Sequence, residues 1–166
     1  MINIYPDSLL EITSELILNS KQKGFRIATA ESCTGGLIAG SLTSISGSSA
    51  VFECGFITYS NNSKIQILGV LPGDIDKFGA VSETVVCQMA EGAMNNTSAQ
   101  LTVAVTGVAG PYGGSLEKPV GTVFVASACV EQKTIYERFL FEGDREKVRL
   151  DTVQAALNLM LRQVKE

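Results

Sequence analysis

The 166 residues are 45% hydrophobic and 18% charged, which is enough apolar material for one substantial core in a single domain over residues 1–166 and excludes a disordered or fibrous chain. A formal net charge of −4 with scattered basic residues argues against nucleic acid or an anionic membrane surface as partner. No run approaches the roughly 20 apolar residues of a membrane span, and no leader-like start is present, so a cytoplasmic protein is expected. The chain has no histidine, which rules out Ser-His-Asp and Cys-His nucleophile systems, a histidine base and a histidine-containing zinc site within one chain. The four cysteines, Cys33, Cys54, Cys87 and Cys129, lack metal or redox spacing and are expected to be free thiols.

In chain order, Asp7 to Ser20 carries apolar residues at helical spacing and is followed by Gly24. Phe25 to Ala30 reads as a strand that runs into Glu31-Ser32-Cys33-Thr34-Gly35-Gly36 and then a helix to Leu42. At such a strand-turn-helix junction the first helical N–H groups lack intrahelical partners, so the oxygen of Ser32 can develop negative charge there. Ser32 is the candidate nucleophile. The competing reading makes Ser32 or Thr34 only an N-cap and the glycines only a means of close packing.

Ser44 to Ser49 reads as a loop, and Val51 to Tyr59 as a second strand. Ser60 to Asn62 then caps a short helix through Leu68, which stops at Gly69 and Pro72. Lys64 falls in the first turn of that helix, where the dipole disfavours an ammonium. With burial added, such a lysine becomes a usable base, whereas exposed it is an ordinary solvated side chain. Tyr59 ends the strand, either to relay a proton or to sit on a rim.

Ser82 caps a helix over about Glu83 to Met94, and Leu101 to Thr106 is a β-branched strand. The following Gly107 to Ser115 loop holds four glycines and could surround an anion, but fits neither the Walker nor the dinucleotide pattern. Pro119 to Ala128 and Thr134 to Phe141 form an antiparallel hairpin, and a long helix starts at Asp144, with Arg145 and Arg149 in its first turns. The pattern predicts a three-layer α/β/α domain with a mixed, mostly parallel sheet.

Six segments, in order, resemble one family: Ala30 to Gly36, Tyr59 to Lys64, Gly79 to Ser82, Thr106 to Pro111 with Gly113 to Ser115, Lys118 to Val123, and Gly143 to Arg145 with Val148-Arg149. This is the C-terminal domain of competence- and damage-inducible protein CinA, with its stand-alone relatives, the nicotinamide-nucleotide amidohydrolases. The resemblance implies hydrolysis of the carboxamide of nicotinamide mononucleotide without metal or other cofactor. It places the serine nucleophile at Ser32 and the accompanying lysine and tyrosine at Lys64 and Tyr59. Oxyanion donors are expected among Thr34, Gly35 and Gly36 or from Gly107 to Gly110. Ser48, Thr106, Lys118 and Arg145 are candidates for holding the nucleotide. Larger family members carry a further N-terminal domain whose functions are not implied, and Tyr112 departs from the small residues usual in the glycine loop. The alternatives are a non-catalytic nucleotide-binding module and a Ser/Lys amidase for another small amide. The composition permits a homodimer.

Overall fold

The computed structural model describes residues 4–166. Six helices and five strands follow the order α1 (Asp7–Lys23), β1 (Ile27–Glu31), α2 (Leu37–Thr43), β2 (Phe52–Ile57), α3 (Asn61–Leu68), α4 (Pro72–Phe78), α5 (Glu83–Asn95), β3 (Leu101–Gly107), β4 (Thr122–Cys129), β5 (Ile135–Leu140) and α6 (Arg145–Lys165). The strands form one sheet in the order β2-β1-β3-β4-β5. β1 is parallel to β2 and β3, and β4 is antiparallel to β3 and β5. Four strands therefore share one direction and β4 alone runs against them, the mixed α/β/α arrangement expected from the pattern.

The two faces of the sheet carry separate apolar cores. On one, Leu16 of α1, Ile38 of α2 and Leu157 of α6 pack on Ile27, Val103 and Val125. On the other, Leu68 of α3, Ile75 of α4 and Met89 of α5 pack on Ala30, Ala104 and Ala126. The alanines keep the second face shallow, so helices approach the sheet closely. At Gly92 a Cβ would stand 2.0 Å from the Leu68 carbonyl oxygen. Only glycine allows α5 to hold the end of α3 this near, and α3 carries Lys64.

Several boundaries differ from the sequence reading. β1 begins at Ile27 and extends through Glu31, because it pairs on both sides out to Ile57 of β2 and Val105 of β3. α2 starts at Leu37 as read from the sequence, after Gly36 with φ +100°. Pro72 opens α4 instead of merely ending α3, since its fixed φ and missing N–H suit the first helical position. A single 3-10 turn, Ser48–Ala50, interrupts the loop before β2. All four cysteines are free, Cys33 and Cys129 buried and the other two half-buried. Among the described residues no helix is long and apolar enough to cross a membrane.

Candidate active site

Strand alternation sorts the residues at the end of β1. Ile27, Thr29 and Glu31 face the α2 side and Ala28 and Ala30 face the α5 side, which directs Glu31 under α2 and the next residue, Ser32, toward α3. Both are buried, at 1% and 8% exposure.

The carboxylate of Glu31 accepts five hydrogen bonds. The donors are the hydroxyls of Thr29 (3.3 Å) and Thr34 (2.7 Å) and the backbone N–H groups of Gly36 (3.0 Å), Ile38 (3.1 Å) and Ala39 (2.8 Å). The positive end of α2 is thus occupied by a buried acid of the chain itself. The expectation that these N–H groups stand open to charge developing on Ser32 is corrected by this geometry. Gly35 N–H is also engaged, at 3.2 Å from the Ser32 carbonyl. The turn is braced from α6, where Arg149 donates to the carbonyls of Cys33 (3.1 Å) and Thr34 (2.8 Å).

On the opposite face, Ser60 accepts from Ser63 N–H and the Ser63 side chain bonds back, a capping box that starts α3. Lys64 follows one residue later and its side chain leans back toward the helix start. Its Nζ donates to Ser32 Oγ at 3.0 Å, to the Thr58 carbonyl at 2.7 Å and to the Tyr59 carbonyl at 3.3 Å. Lys64 is 1% exposed, and among the described residues no carboxylate lies within ion-pair distance of it. Loss of hydration lowers its pKa to about 8, with the neighbouring Cys33 sulfur pulling weakly the other way. About a tenth of the amine is therefore neutral at pH 7 and half at pH 8, held against a serine oxygen. Burial pushes the Cys33 thiol up to about 11, so Cys33 stays protonated and is a poor nucleophile beside Ser32.

Ser32 and Lys64 lie at the floor of a cavity of about 310 Å³, whose walls include Thr106, Gly107, Val108, Ala109 and Gly110. Thr106 donates to the Ala80 carbonyl at 3.0 Å and ties the 79–82 segment to β3. Val108 N–H is taken by the Thr122 carbonyl at 2.9 Å, whereas the N–H groups of Ala109 and Gly110 have no acceptor among the described residues. At the mouth, Arg145 donates to the Gly110 carbonyl at 2.8 Å and to the Tyr59 hydroxyl at 3.2 Å. Lys64 and Arg145 are the charged residues of the lining, which contains no Asp or Glu. This is a cationic pocket on a chain of net charge −4.

Of the residues singled out from sequence, the cavity brings together Ser32, Tyr59, Lys64, Thr106, Gly107, Gly110 and Arg145. The Thr34 hydroxyl and the N–H groups of Gly35 and Gly36 are instead committed to the turn around Glu31. Ser48 is buried in its 3-10 turn and lies outside the lining. Lys118 donates to the Phe78 carbonyl at 2.6 Å, pinning the glycine-rich loop to the end of α4. Glu31 had no assigned role in the sequence reading; Arg149, read there as facing an anionic ligand or solvating its helix, instead braces the turn after β1, and Asn61, read as part of the cap, lines the cavity at the start of α3. Strand parity beneath a helix that lacks a capping side chain is the signal that identifies Glu31. Among the described residues no group of three His, Cys, Asp or Glu side chains is placed to hold a metal ion.

The CinA C-terminal domain family matches residues 9–164. The chain is 46% identical to the nicotinamide-nucleotide amidohydrolase PncC of Enterobacter agglomerans over 93% of its own length and 94% of that protein. It is 53% identical to a CinA-like protein of Geotalea daltonii over 87% of this chain but 35% of that longer one. Its fold superposes on the crystal structure of the competence/damage inducible protein CihA from Agrobacterium tumefaciens with a TM-score of 0.96 and 43% identity, covering 99% of this chain and all of the other. A match across nearly every element, from α1 to the end of α6, means that the chain belongs to the CinA C-terminal domain family.

Proposed function

We propose that this single domain is a cytoplasmic nicotinamide-nucleotide amidohydrolase, converting nicotinamide mononucleotide to nicotinic acid mononucleotide and ammonia in pyridine nucleotide recycling, with Ser32 as nucleophile and Lys64 as base. The observation that carries the reading is the 3.0 Å contact between Ser32 Oγ and a buried lysine without a carboxylate partner. A near-neutral amine within hydrogen-bond reach is the base that a histidine-free chain needs. The cationic lining suits a phosphate-bearing substrate, and the PncC relatives bear the matching name.

Neutral Lys64 accepts the Ser32 proton as Oγ bonds to the amide carbon. The N–H groups of Gly36 and Ile38 are held by Glu31, whereas those of Ala109 and Gly110 in the glycine loop and of Cys33 and Thr34 in the turn have no acceptor among the described residues and are available to the oxyanion. As the tetrahedral intermediate collapses, the C–N bond breaks and the Lys64 ammonium returns its proton to the departing nitrogen, releasing ammonia. Water then adds to the Ser32 ester and gives a proton to Lys64. The C–Oγ bond breaks, the acid leaves, and the proton returns to Ser32. No cofactor enters these steps.

The test is ammonia release from nicotinamide mononucleotide by chelator-treated protein beside Ser32→Ala. The expected result is chelator-resistant turnover that falls at least about a thousandfold in the variant. No release from folded wild-type protein, or undiminished release from Ser32→Ala, would overturn the proposal.

A further inference from the structure

We infer that the Tyr59 hydroxyl and the Arg145 guanidinium act together as an anion clamp at the cavity mouth, reading the substrate phosphate, and that Tyr59 is a binding residue, not a proton relay. The inference rests on the mononucleotide reading above. Tyr59 meets Lys64 through its backbone carbonyl, at 3.3 Å. Its hydroxyl instead accepts from Arg145 Nη2 at 3.2 Å, and the residue is 61% exposed. A relay needs the phenol oxygen between the base and the serine, and here the amine already touches Ser32 without it.

The same geometry prepares the hydroxyl for a different task. With a lone pair engaged by the guanidinium, its hydrogen remains available to an acceptor. Arg145 donates two hydrogen bonds to neutral oxygens, those of Gly110 and Tyr59, and among the described residues it has no carboxylate partner. Its charge is therefore uncompensated, within a lining that contains no acid. A phosphate at the mouth would receive an N–H from Arg145 and the O–H from Tyr59, both charge-assisted. Three separate segments meet there: the residues after β2, the glycine loop and the first turn of α6. With the carboxamide held at the floor by Ser32, the remaining end of a mononucleotide is the one that reaches this clamp.

Tyr59→Phe isolates the hydroxyl at an exposed position where the ring is retained, so folding is not at risk. Loss of one hydrogen bond to a charged group should raise KM for nicotinamide mononucleotide roughly tenfold and leave kcat within about twofold. Calorimetric titration with nicotinic acid mononucleotide needs no turnover and should show a matching roughly tenfold loss of affinity. Arg145→Met should lose more in the same assay. A fall in kcat of a hundredfold or more on nicotinamide mononucleotide, with product affinity intact, would overturn the inference and restore the relay. Unchanged product affinity in Tyr59→Phe would overturn it as well. If wild-type protein releases no ammonia, the hydrolase reading fails, yet the titration with the product and with inorganic phosphate still decides whether the clamp exists.

Discussion

Two charged side chains lie on opposite faces of the end of β1, each 1% exposed, and they are treated in opposite ways. Glu31 receives five donors and the positive end of a helix. Lys64 receives two carbonyls and a hydroxyl, with no counter-charge among the described residues. A buried charge that is fully solvated by the protein serves as a structural anchor, whereas one left short of compensation is biased toward its neutral form and becomes reactive. The contrast shows how the end of β1 brings a rigid turn and an uncompensated amine from a separate helix side by side. Glu31 fixes where Ser32 sits, and Lys64 is the base in the mechanism proposed above.

The largest effect comes from removing the base. Lys64→Met should reduce ammonia release at least about a thousandfold at pH 8, while a urea melt at pH 6 shows a protein more stable than wild type by about 1–2 kcal/mol. A destabilised Lys64→Met at pH 6 would mean that the two carbonyl bonds outweigh the cost of the buried ammonium.

Next is the anchor itself. Glu31→Gln keeps the shape but replaces an acceptor oxygen by a donor that faces N–H and O–H groups. A loss of about 2–4 kcal/mol is expected, seen as a drop of roughly 5–15 °C in Tm. Tm within a degree of wild type would remove the distinction between the two sites.

The pH dependence isolates the Lys64 charge. The folded pKa of Lys64, about 8, lies below the ordinary 10.5 of the unfolded chain. Between those values the unfolded state binds more protons, so the contribution of this group to stability rises with pH across the window. The full cost, on the order of 3 kcal/mol, is borne below pH 8. Denaturant melts of wild type minus Lys64→Met from pH 7 to 10.5 should show that rise, and kcat should climb through about pH 8 as the amine deprotonates. A flat difference would mean that Lys64 titrates normally. At the small end, the exposed pair of Lys165 with Glu15, 2.7 Å apart, is a control: Lys165→Met should change stability by less than about 0.5 kcal/mol.

Much of the fold was legible because local rules and tertiary structure agree. Gly24 closes α1 in the left-handed conformation, Ser82 and Asp144 cap α5 and α6, and the β4–β5 hairpin follows its polar turn. Legibility failed where a local rule had two outcomes. Pro72 was as good a helix start as a helix stop, and the choice depended on whether Ile75 found a core to enter. The availability of the N–H groups at the start of α2 was misjudged for a related reason. Unpartnered N–H groups at a helix start are visible in the sequence, but the acid that reaches them from the strand beneath is not.

From the sequence alone followed the alternation of strands and helices, the absence of a histidine base, and the nomination of Ser32, Tyr59, Lys64 and Arg145. These depend on residue type and on spacing within a few residues, which the chain carries locally. Tertiary structure alone decided that Lys64 reaches Ser32 across 32 positions and is dry, and that Thr34 and Gly36 serve Glu31. It likewise decided that Arg145 finds Tyr59 across 86 positions. Burial and long-range contact are properties of the packed sheet and its two helical layers, and no window of sequence contains them.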